Sequence, residues 1–273
     1  MKNNQSAKLI HEIYGALGIS KFDNRVENAL IVKRFLDLSN YMGFSDADGL
    51  EILGIVSHMF TNSTDITYIE NTLKEAFLKK RNLSPQCNEN IDRRADKIVQ
   101  QIRQWLYGKR ILDVGSGDGL VAWKIHQSTT RQVFQIDVLD YVIDINDLPF
   151  FLYNGQDLPF ADNAFDSSLL LTVLHHTDEP ESLLRETLRV TRKRLIVIET
   201  VHHDEQERRA NLFFDWLCNS ILTNVNLPFN LKSDEEWKEM FNTGDAEVIY
   251  DEDLGIDLPF VPESHYLYII NKK

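Results

Sequence analysis

The sequence predicts an α/β protein in which a doubly wound, mostly parallel sheet follows an all-helical N-terminal domain. From residue 110 onward, short apolar runs alternate with longer amphipathic stretches, which is the pattern of strands joined by crossover helices. Up to about residue 82, apolar residues recur at helical spacing without strand-like alternation. We therefore expect a helical domain over residues 1–88 and an α/β domain over residues 89–273.

The N-terminal part shows its helical period in two places, and an irregular stretch follows it. The apolar positions are Leu9, Ile10, Ile13, Tyr14 and Leu17, and then Leu50, Leu53, Ile55, Val56, Met59 and Phe60. Residues 82–92, NLSPQCNENID, break this period with a proline and several asparagines, so we expect a linker there. A further amphipathic helix follows the linker.

The α/β part contains four apolar runs that we predict to be strands: RILDV, QVFQID, SSLLLTVL and RLIVIET. EVIY and HYLYII near the C-terminus are predicted to close the sheet as an antiparallel pair. Two helix starts are recognisable. Asp178 is the expected cap before Pro180, and Ser233 with Glu236 has capping-box spacing.

Composition restricts the partners. The 273 residues carry a net charge of −13, which argues against nucleic acid and against an anionic membrane surface. No stretch is long and apolar enough for a membrane span, and the N-terminus does not resemble a signal peptide, so a cytoplasmic location is expected. Cys87 and Cys218 lack the spacing of a metal site and predict no disulfide framework.

A glycine-rich turn follows the first predicted strand in RILDVGSGDGL. Gly115, Gly117 and Gly119 permit a tight turn and a close approach of a ligand to the backbone. Leu120 occupies the place of the third glycine of a dinucleotide fingerprint, and no Gly-Lys-Ser/Thr follows. Both NAD or FAD binding and a phosphate-binding P-loop are therefore disfavoured.

The ordered motifs over about residues 110–200 resemble the class I S-adenosylmethionine-dependent methyltransferases, in particular the type 11 group. Asp113 to Gly119 matches their first motif, Asp137 ends the second strand twenty residues past Gly117, and LPFADNAFD matches the loop before the fourth strand. The resemblance implies a Rossmann-like fold with S-adenosylmethionine as cofactor. The cofactor contacts that it implies are Asp113, Gly115, Ser116, Gly117, Gly119, Asp137, Asn154 and Asp157.

Two of these assignments have an ordinary structural alternative. Asp137, which the resemblance assigns to the ribose hydroxyls, also suits a turn at a strand end. Asn154 stands where the group usually has an aspartate that accepts a hydrogen bond from the adenine amino group. Its side-chain oxygen can accept that bond, Asp157 is the spare candidate, and YNGQD also has the composition of a simple turn.

Two histidine pairs follow predicted strands, in VLHHTDE and in ETVHHDE. Three interpretations are open. In the first, His175 and His176 help to close the cofactor pocket and His202 and His203 are ordinary exposed loop residues. In the second, a histidine is a general base oriented by Glu199, and in the third, both loops bind a divalent metal. The metal is the least favoured, and we assign no metal ligands. The candidate catalytic residues are His175, His176, Glu199, His202 and His203.

The function expected from these features is O-, N- or S-methylation of a small molecule. The Asn/Asp-Pro-Pro-Tyr element of amide and nucleobase amino methyltransferases is absent after the fourth strand, where TVLHH stands. A metal-assisted enzyme and a non-catalytic cofactor-binding partner protein are the alternatives.

The helical domain is either a cap over the acceptor or a homodimerisation surface. The aromatic residues Phe213, Phe214 and Trp216 either line the acceptor pocket or belong to a helix core.

Overall fold

The computed structural model describes residues 26–63, 65–81, 86–140, 147–222, 227–255 and 263–273. These residues form two compact units. The first unit takes the described residues up to Ile91, those from His202 to Leu227, and Glu263. The second unit takes the described residues of Asp92–Val201, Pro228–Leu258 and Ser264–Lys273.

The helices and strands are numbered in chain order. The helices are α1 Val26–Tyr41, α2 Asp46–Asn62, α3 Ile66–Arg81, α4 Gln86–Ile102, α5 Leu120–Ser128, α6 Pro180–Val190, α7 Glu205–Leu222 and α8 Asp234–Phe241. The strands are β1 Arg110–Val114, β2 Gln132–Asp137, β3 Phe150–Leu152, β4 Phe165–Leu171, β5 Thr191–Val201, β6 Ala246–Gly255 and β7 Ser264–Lys272. Short 3₁₀ turns span Arg103–Trp105 and Leu174–His176.

The second unit is built on one seven-stranded sheet with the order β3-β2-β1-β4-β5-β7-β6. β1 to β5 pair in parallel, whereas β7 pairs antiparallel with both β5 and β6. The predicted mostly parallel α/β fold is confirmed, including the antiparallel closing pair. Because the order reverses between β1 and β4, a ligand crevice is expected at the carboxyl ends of these strands.

Apolar runs without alternation form the central strands because both faces of the sheet are covered. Ile111 and Leu112 are consecutive and fully buried, yet they belong to separate hydrophobic clusters. Leu169 and Leu170 divide in the same way. Successive side chains point to opposite faces of a strand, so a strand between two helical layers must be apolar at every position. Burial of each such side chain contributes about 1.5–3 kcal/mol.

Arg189 of α6 binds the loop that precedes β4. Its guanidinium donates to the carbonyl oxygens of Leu158 (3.0 Å) and Phe160 (2.9 Å). The Glu186 carboxylate accepts from Arg189 at 2.9 Å and from the Leu158 N–H at 3.1 Å. The hydrogen bonds that Arg189 donates to Glu186 and Asp162 raise the pKa of its guanidinium above the usual range. The loop LPFADN is therefore tied to α6 rather than to the sheet alone.

Three local details differ from the sequence prediction. Helix α4 begins at Gln86, so the expected linker over residues 82–92 is wrong from residue 86 onward. Asp178 is not the cap of α6, because Glu179 holds the N-cap position and makes no side-chain cap bond. The three-residue strand β3 was not predicted. The helical positions from Leu9 to Leu17 lie outside the described residues, whereas the capping box of Ser233 and Glu236 is confirmed.

The first unit is helical and contains α1, α2, α3 and α7, with the described part of α4 up to Ile91. Phe213, Phe214 and Trp216 are all buried in α7, and the Trp216 indole donates to Glu70 of α3 at 3.1 Å. The residues from His202 to Leu227 thus belong to this unit, although the sequence placed them in the domain 89–273. The division at residue 88 stays a prediction. None of the described helices is long and apolar enough to cross a membrane.

We predict that Arg189→Gln lowers the free energy of unfolding by about 1.5–3 kcal/mol, because two part-buried carbonyl oxygens and the Glu186 carboxylate lose a charged donor. Urea unfolding measures this loss. Arg185→Gln removes the same charge from an exposed position of the same helix and is expected to change the free energy by less than about 0.5 kcal/mol. Equal losses of unfolding free energy in the two variants would contradict a specific role of Arg189 in holding the loop before β4.

Candidate functional site

The glycine turn follows β1 directly and is held against β2. The N–H of Gly115 donates to the Ile136 carbonyl at 2.8 Å, and Gly115, Gly117 and Gly119 have φ values of 70°, 56° and 75°. A Cβ on Gly115 would lie 2.6 Å from the Val173 side chain, whereas a Cβ on Gly117 would meet no atom of the described residues within 4 Å. The turn therefore packs closely on β4's end at its first glycine and leaves space for a ligand at its second.

Asp137, the last residue of β2, fixes this turn electrostatically. Its Oδ2 accepts from the Gly117 N–H at 2.8 Å, and its Oδ1 accepts from the Val138 N–H at 2.6 Å. These bonds confirm neither the cofactor role nor the alternative of a strand-end turn residue, since a carboxylate has lone pairs for further donors. They do place a carboxylate beside the open side of the glycine turn.

Asp113 is buried in β1 beside two further carboxylates. Burial, together with the charges of Asp137 and Asp118, raises the pKa of Asp113 to about 8. Asp118 lies inside the glycine turn and was not singled out from the sequence, although its position between two glycines was visible. Three acids in one place favour a positively charged ligand or a bound proton.

Ser116 and Gly119 complete the turn. Gly119 donates its N–H to the Ser116 carbonyl at 3.0 Å and caps α5 in a left-handed conformation. The N-terminus of α5 thus starts at the turn, where its N–H groups face the end of the sheet.

Asn154 and Asp157 lie in an exposed turn after β3. The Asn154 side-chain oxygen accepts from the backbone N–H groups of Gln156 (2.9 Å) and Asp157 (3.2 Å). This geometry supports the simple-turn alternative, because the oxygen proposed for the adenine amino group already has two donors. The adenine assignment of Asn154 and Asp157 stays a prediction.

Glu199 and His175 form a fully buried pair. Glu199 is in β5, and its Oε2 lies 2.6 Å from His175 Nδ1, with both side chains no more than 4% exposed. Glu199 Oε1 accepts from the backbone N–H groups of Val173 (3.0 Å) and Leu174 (2.7 Å). The half-buried His176 follows, and the two histidine rings lie 3.9 Å apart between centroids. The structure thus pairs Glu199 with the first histidine pair.

His202 and His203 belong to the helical unit. The exposed His203 lies with its Nδ1 2.7 Å from Glu207 Oε2, one turn further along the chain. Asp204 accepts from the Glu207 N–H at 2.7 Å and so satisfies a free donor at the start of α7. His203 therefore has a carboxylate partner of its own, which the sequence did not indicate.

The arrangement fits S-adenosylmethionine in two respects. The free space beside Gly117 allows a ligand to approach the backbone, and the carboxylates of Asp113, Asp118 and Asp137 suit a cofactor that carries a sulfonium and an ammonium group. Tyr153 lies near the same charges, because burial and Asp137 raise its pKa to about 12. Sequence reasoning did not single out Tyr153, which stands next to Asn154.

Residues 112–198 match a family model described as a methyltransferase domain. O-methyltransferase rstn1 of Aspergillus nomiae is 29% identical over 40% of this chain and 54% of its own length. Demethylmenaquinone methyltransferase of Paenarthrobacter aurescens is 30% identical over 47% of this chain and 53% of its own length. The chain therefore spans about half the length of these curated relatives.

The crystal structure of the cyclase SpnF resembles this fold with a TM-score of 0.52 at 17% sequence identity, covering 67% of this chain and 82% of that one. At this identity the likeness concerns the fold alone. The family match and the sheet order confirm the predicted resemblance: residues 112–198 match the methyltransferase-domain model, and the sheet is mostly parallel and doubly wound, as expected for class I architecture.

We predict that Asp113→Asn flattens the dependence of folding stability on pH. The pKa of Asp113 in the folded chain, about 8, lies above its ordinary value of 3.8. Folding therefore favours the protonated carboxyl, and its contribution is complete below the ordinary pKa and is lost as the pH rises towards the folded one. Urea unfolding between about pH 5 and pH 8 should show a steeper fall for the parent chain than for the variant.

Asp157→Asn is the matched control, because this aspartate is exposed. Its stability profile should follow that of the parent chain. An unchanged slope in Asp113→Asn would show that the buried carboxyl does not bind a proton in this range.

Proposed function

We propose that this chain, whose residues 112–198 belong to the methyltransferase domain family, transfers the methyl group of S-adenosylmethionine to a small-molecule acceptor. The transfer is an O-, N- or S-methylation, as the sequence predicts. The observation that carries the proposal is the Asp137 carboxylate bound to the Gly117 N–H beside an open space. Homodimerisation, a cytoplasmic location and the least favoured interpretation, a metal bound by the histidine pairs, stay predictions.

The proposal assigns the cofactor contacts to the turn and the strand ends. Asp137 would accept from the ribose hydroxyls through lone pairs that its backbone donors leave free. Asp113 and Asp118 would compensate the positive charges of the methionine part. Gly117 would allow the cofactor to approach the backbone closely, since no atom of the part of the chain that the structure describes lies within 4 Å of the position of its missing Cβ.

S-adenosylmethionine would supply an activated methyl group with its own leaving group, so the chain's residues have to position and deprotonate the acceptor. His175 is the histidine for which the structure supports the role of base. With Glu199 Oε2 accepting from Nδ1–H, His175 would be the Nδ1–H tautomer, in which Nε2 is the basic nitrogen of the ring. The buried Glu199 also keeps the ring in one orientation.

Calorimetry with S-adenosylhomocysteine tests cofactor binding directly. We expect Asp137→Ala to weaken binding by about 10–100-fold, since a charged hydrogen-bond acceptor is worth about 1.5–3 kcal/mol. Asp245→Ala removes an exposed acid of the same unit and should bind like the parent chain. No saturable binding to the parent chain would end the proposal.

We predict that Glu199→Gln lowers the rate of methyl transfer by about 10²–10⁴-fold and leaves cofactor affinity within about twofold. Glutamine can still accept from Val173 and Leu174, but its amide would donate to His175 Nδ1. Nε2 would then carry the proton and could not act as a base. Single-turnover assays with a panel of phenols, quinols, amines and thiols measure the rate, and calorimetry measures the affinity.

Glu207→Gln is the control, because Glu207 pairs with the exposed His203 in the same manner. It should leave the rate unchanged. A parent-like rate in Glu199→Gln, with an acceptor whose proton must leave, would remove His175 from the mechanism without affecting the cofactor proposal.

A further inference from the structure

A basic cavity lies at the amino ends of the parallel strands, which is the end of the sheet away from the glycine turn. It is an open depression of about 570 Å³, in which Asp166 is buried and the other polar lining residues are exposed to solvent. The polar residues that line it are Lys109, Arg110, Thr130, Gln132, Asp166 and Arg192. This site is called the basic cavity below. Arg110 and Gln132 are the first residues of β1 and β2 and are partners in register.

The basic cavity has an excess of positive charge in an acidic chain. Its lining includes three cationic residues and one carboxylate, although the whole chain has a net charge of −13. The carboxylate of Asp166 already accepts from the backbone N–H groups of Lys109 (2.7 Å) and Arg110 (3.1 Å). It also forms an ion pair with Arg192. Asp166 is thus saturated, and two positive charges remain uncompensated among these lining residues.

The cavity is preorganised by its surroundings. The Arg110 guanidinium lies 5.2 Å from the ring centroid of Phe134 and 5.4 Å from that of Phe165, and such stacking limits the freedom of an arginine. Gly108 has a φ of 71°, and a Cβ there would lie 2.2 Å from Asp166 Cβ. The turn before β1 can therefore approach Asp166 only as glycine.

The neighbouring Arg131 is not counted among these uncompensated positive charges, because its guanidinium binds the backbone of the turn before β1. Its guanidinium donates to the carbonyl oxygens of Leu106 (2.8 Å) and Gly108 (3.2 Å). The backbone that carries Lys109 and Arg110 is thus held from both sides, by Asp166 and by Arg131.

We propose that the basic cavity binds a compact phosphate-type polyanion with two or more negative charges, such as a pyrophosphate group. The fork of N–H donors of an arginine matches phosphate oxygens, Lys109 adds a point charge, and Thr130 and Gln132 add neutral donors. A volume of about 570 Å³ is in the range of small-ligand sites. The source of the group is free pyrophosphate or the phosphate chain of a nucleotide.

This binding is separate from cofactor binding. Strand β1 has five residues and spans about 16 Å at the usual rise, so the cavity and the glycine turn lie at its opposite ends. Carboxylates at the glycine turn would repel the anion, whereas the cations of the basic cavity attract it. A ligand at one end should therefore not displace a ligand at the other.

Calorimetry of the full chain with pyrophosphate at low ionic strength tests the proposal. We expect saturable binding that is unchanged by a saturating concentration of S-adenosylhomocysteine. Lys109→Gln and Arg110→Gln should each weaken it by about tenfold, which is about 1.4 kcal/mol. Arg110→Lys keeps the charge without the fork and should give an intermediate loss. Thermal unfolding confirms that each variant is folded.

Arg185→Gln is the charge-matched control, since this exposed arginine lies on α6 outside the cavity. ATP is titrated in parallel. Equal affinities for ATP and pyrophosphate identify the phosphate chain as the recognised group, and tighter ATP binding identifies a nucleotide. Pyrophosphate binding that is not saturable, that competes with S-adenosylhomocysteine, or that falls equally in Arg185→Gln and Lys109→Gln overturns the proposal.

Discussion

The buried carboxylate of Glu199 holds together the end of the sheet on which the candidate site depends. It lies in β5 and accepts from the backbone of Val173 and Leu174 just after β4. The Val173 side chain in turn packs so closely on Gly115 that no Cβ would fit there, and Gly115 donates to Ile136 of β2. One buried acid thereby influences the ends of four strands. The carboxyl group is tolerated in this buried position because both of its oxygens have hydrogen-bond partners.

The same end of the sheet concentrates negative charge. The raised pKa of Asp113 has burial as its main cause and the charges of Asp137 and Asp118 as further causes. A cationic cofactor would reverse the effect of these neighbours, because a positive charge favours the ionised carboxyl. The three acids therefore repel one another, and a bound cation would relieve this repulsion, which is the usual balance at a functional site.

The fold could be predicted from the sequence because its strands are continuous apolar runs and its glycine turn is a local motif. Ser233 and Glu236 were recognisable for the same reason, since capping depends on residues three positions apart. The partner of Glu199 could not be predicted. It depends on the register between β4 and β5, which pairs Leu171 with Ile198, and register between distant strands has no local signature.

Two other differences have a tertiary cause. The described residues from His202 to Leu222 fall in one unit with α1 to α3, although they follow β5 directly, because the aromatic side chains of α7 are buried in this helical unit. Strand β3 has only three residues, of which Phe151 and Leu152 are exposed. It lies at the edge of the sheet formed by the described residues and pairs there with β2, so it lacks the apolar run that identifies a strand covered on both faces.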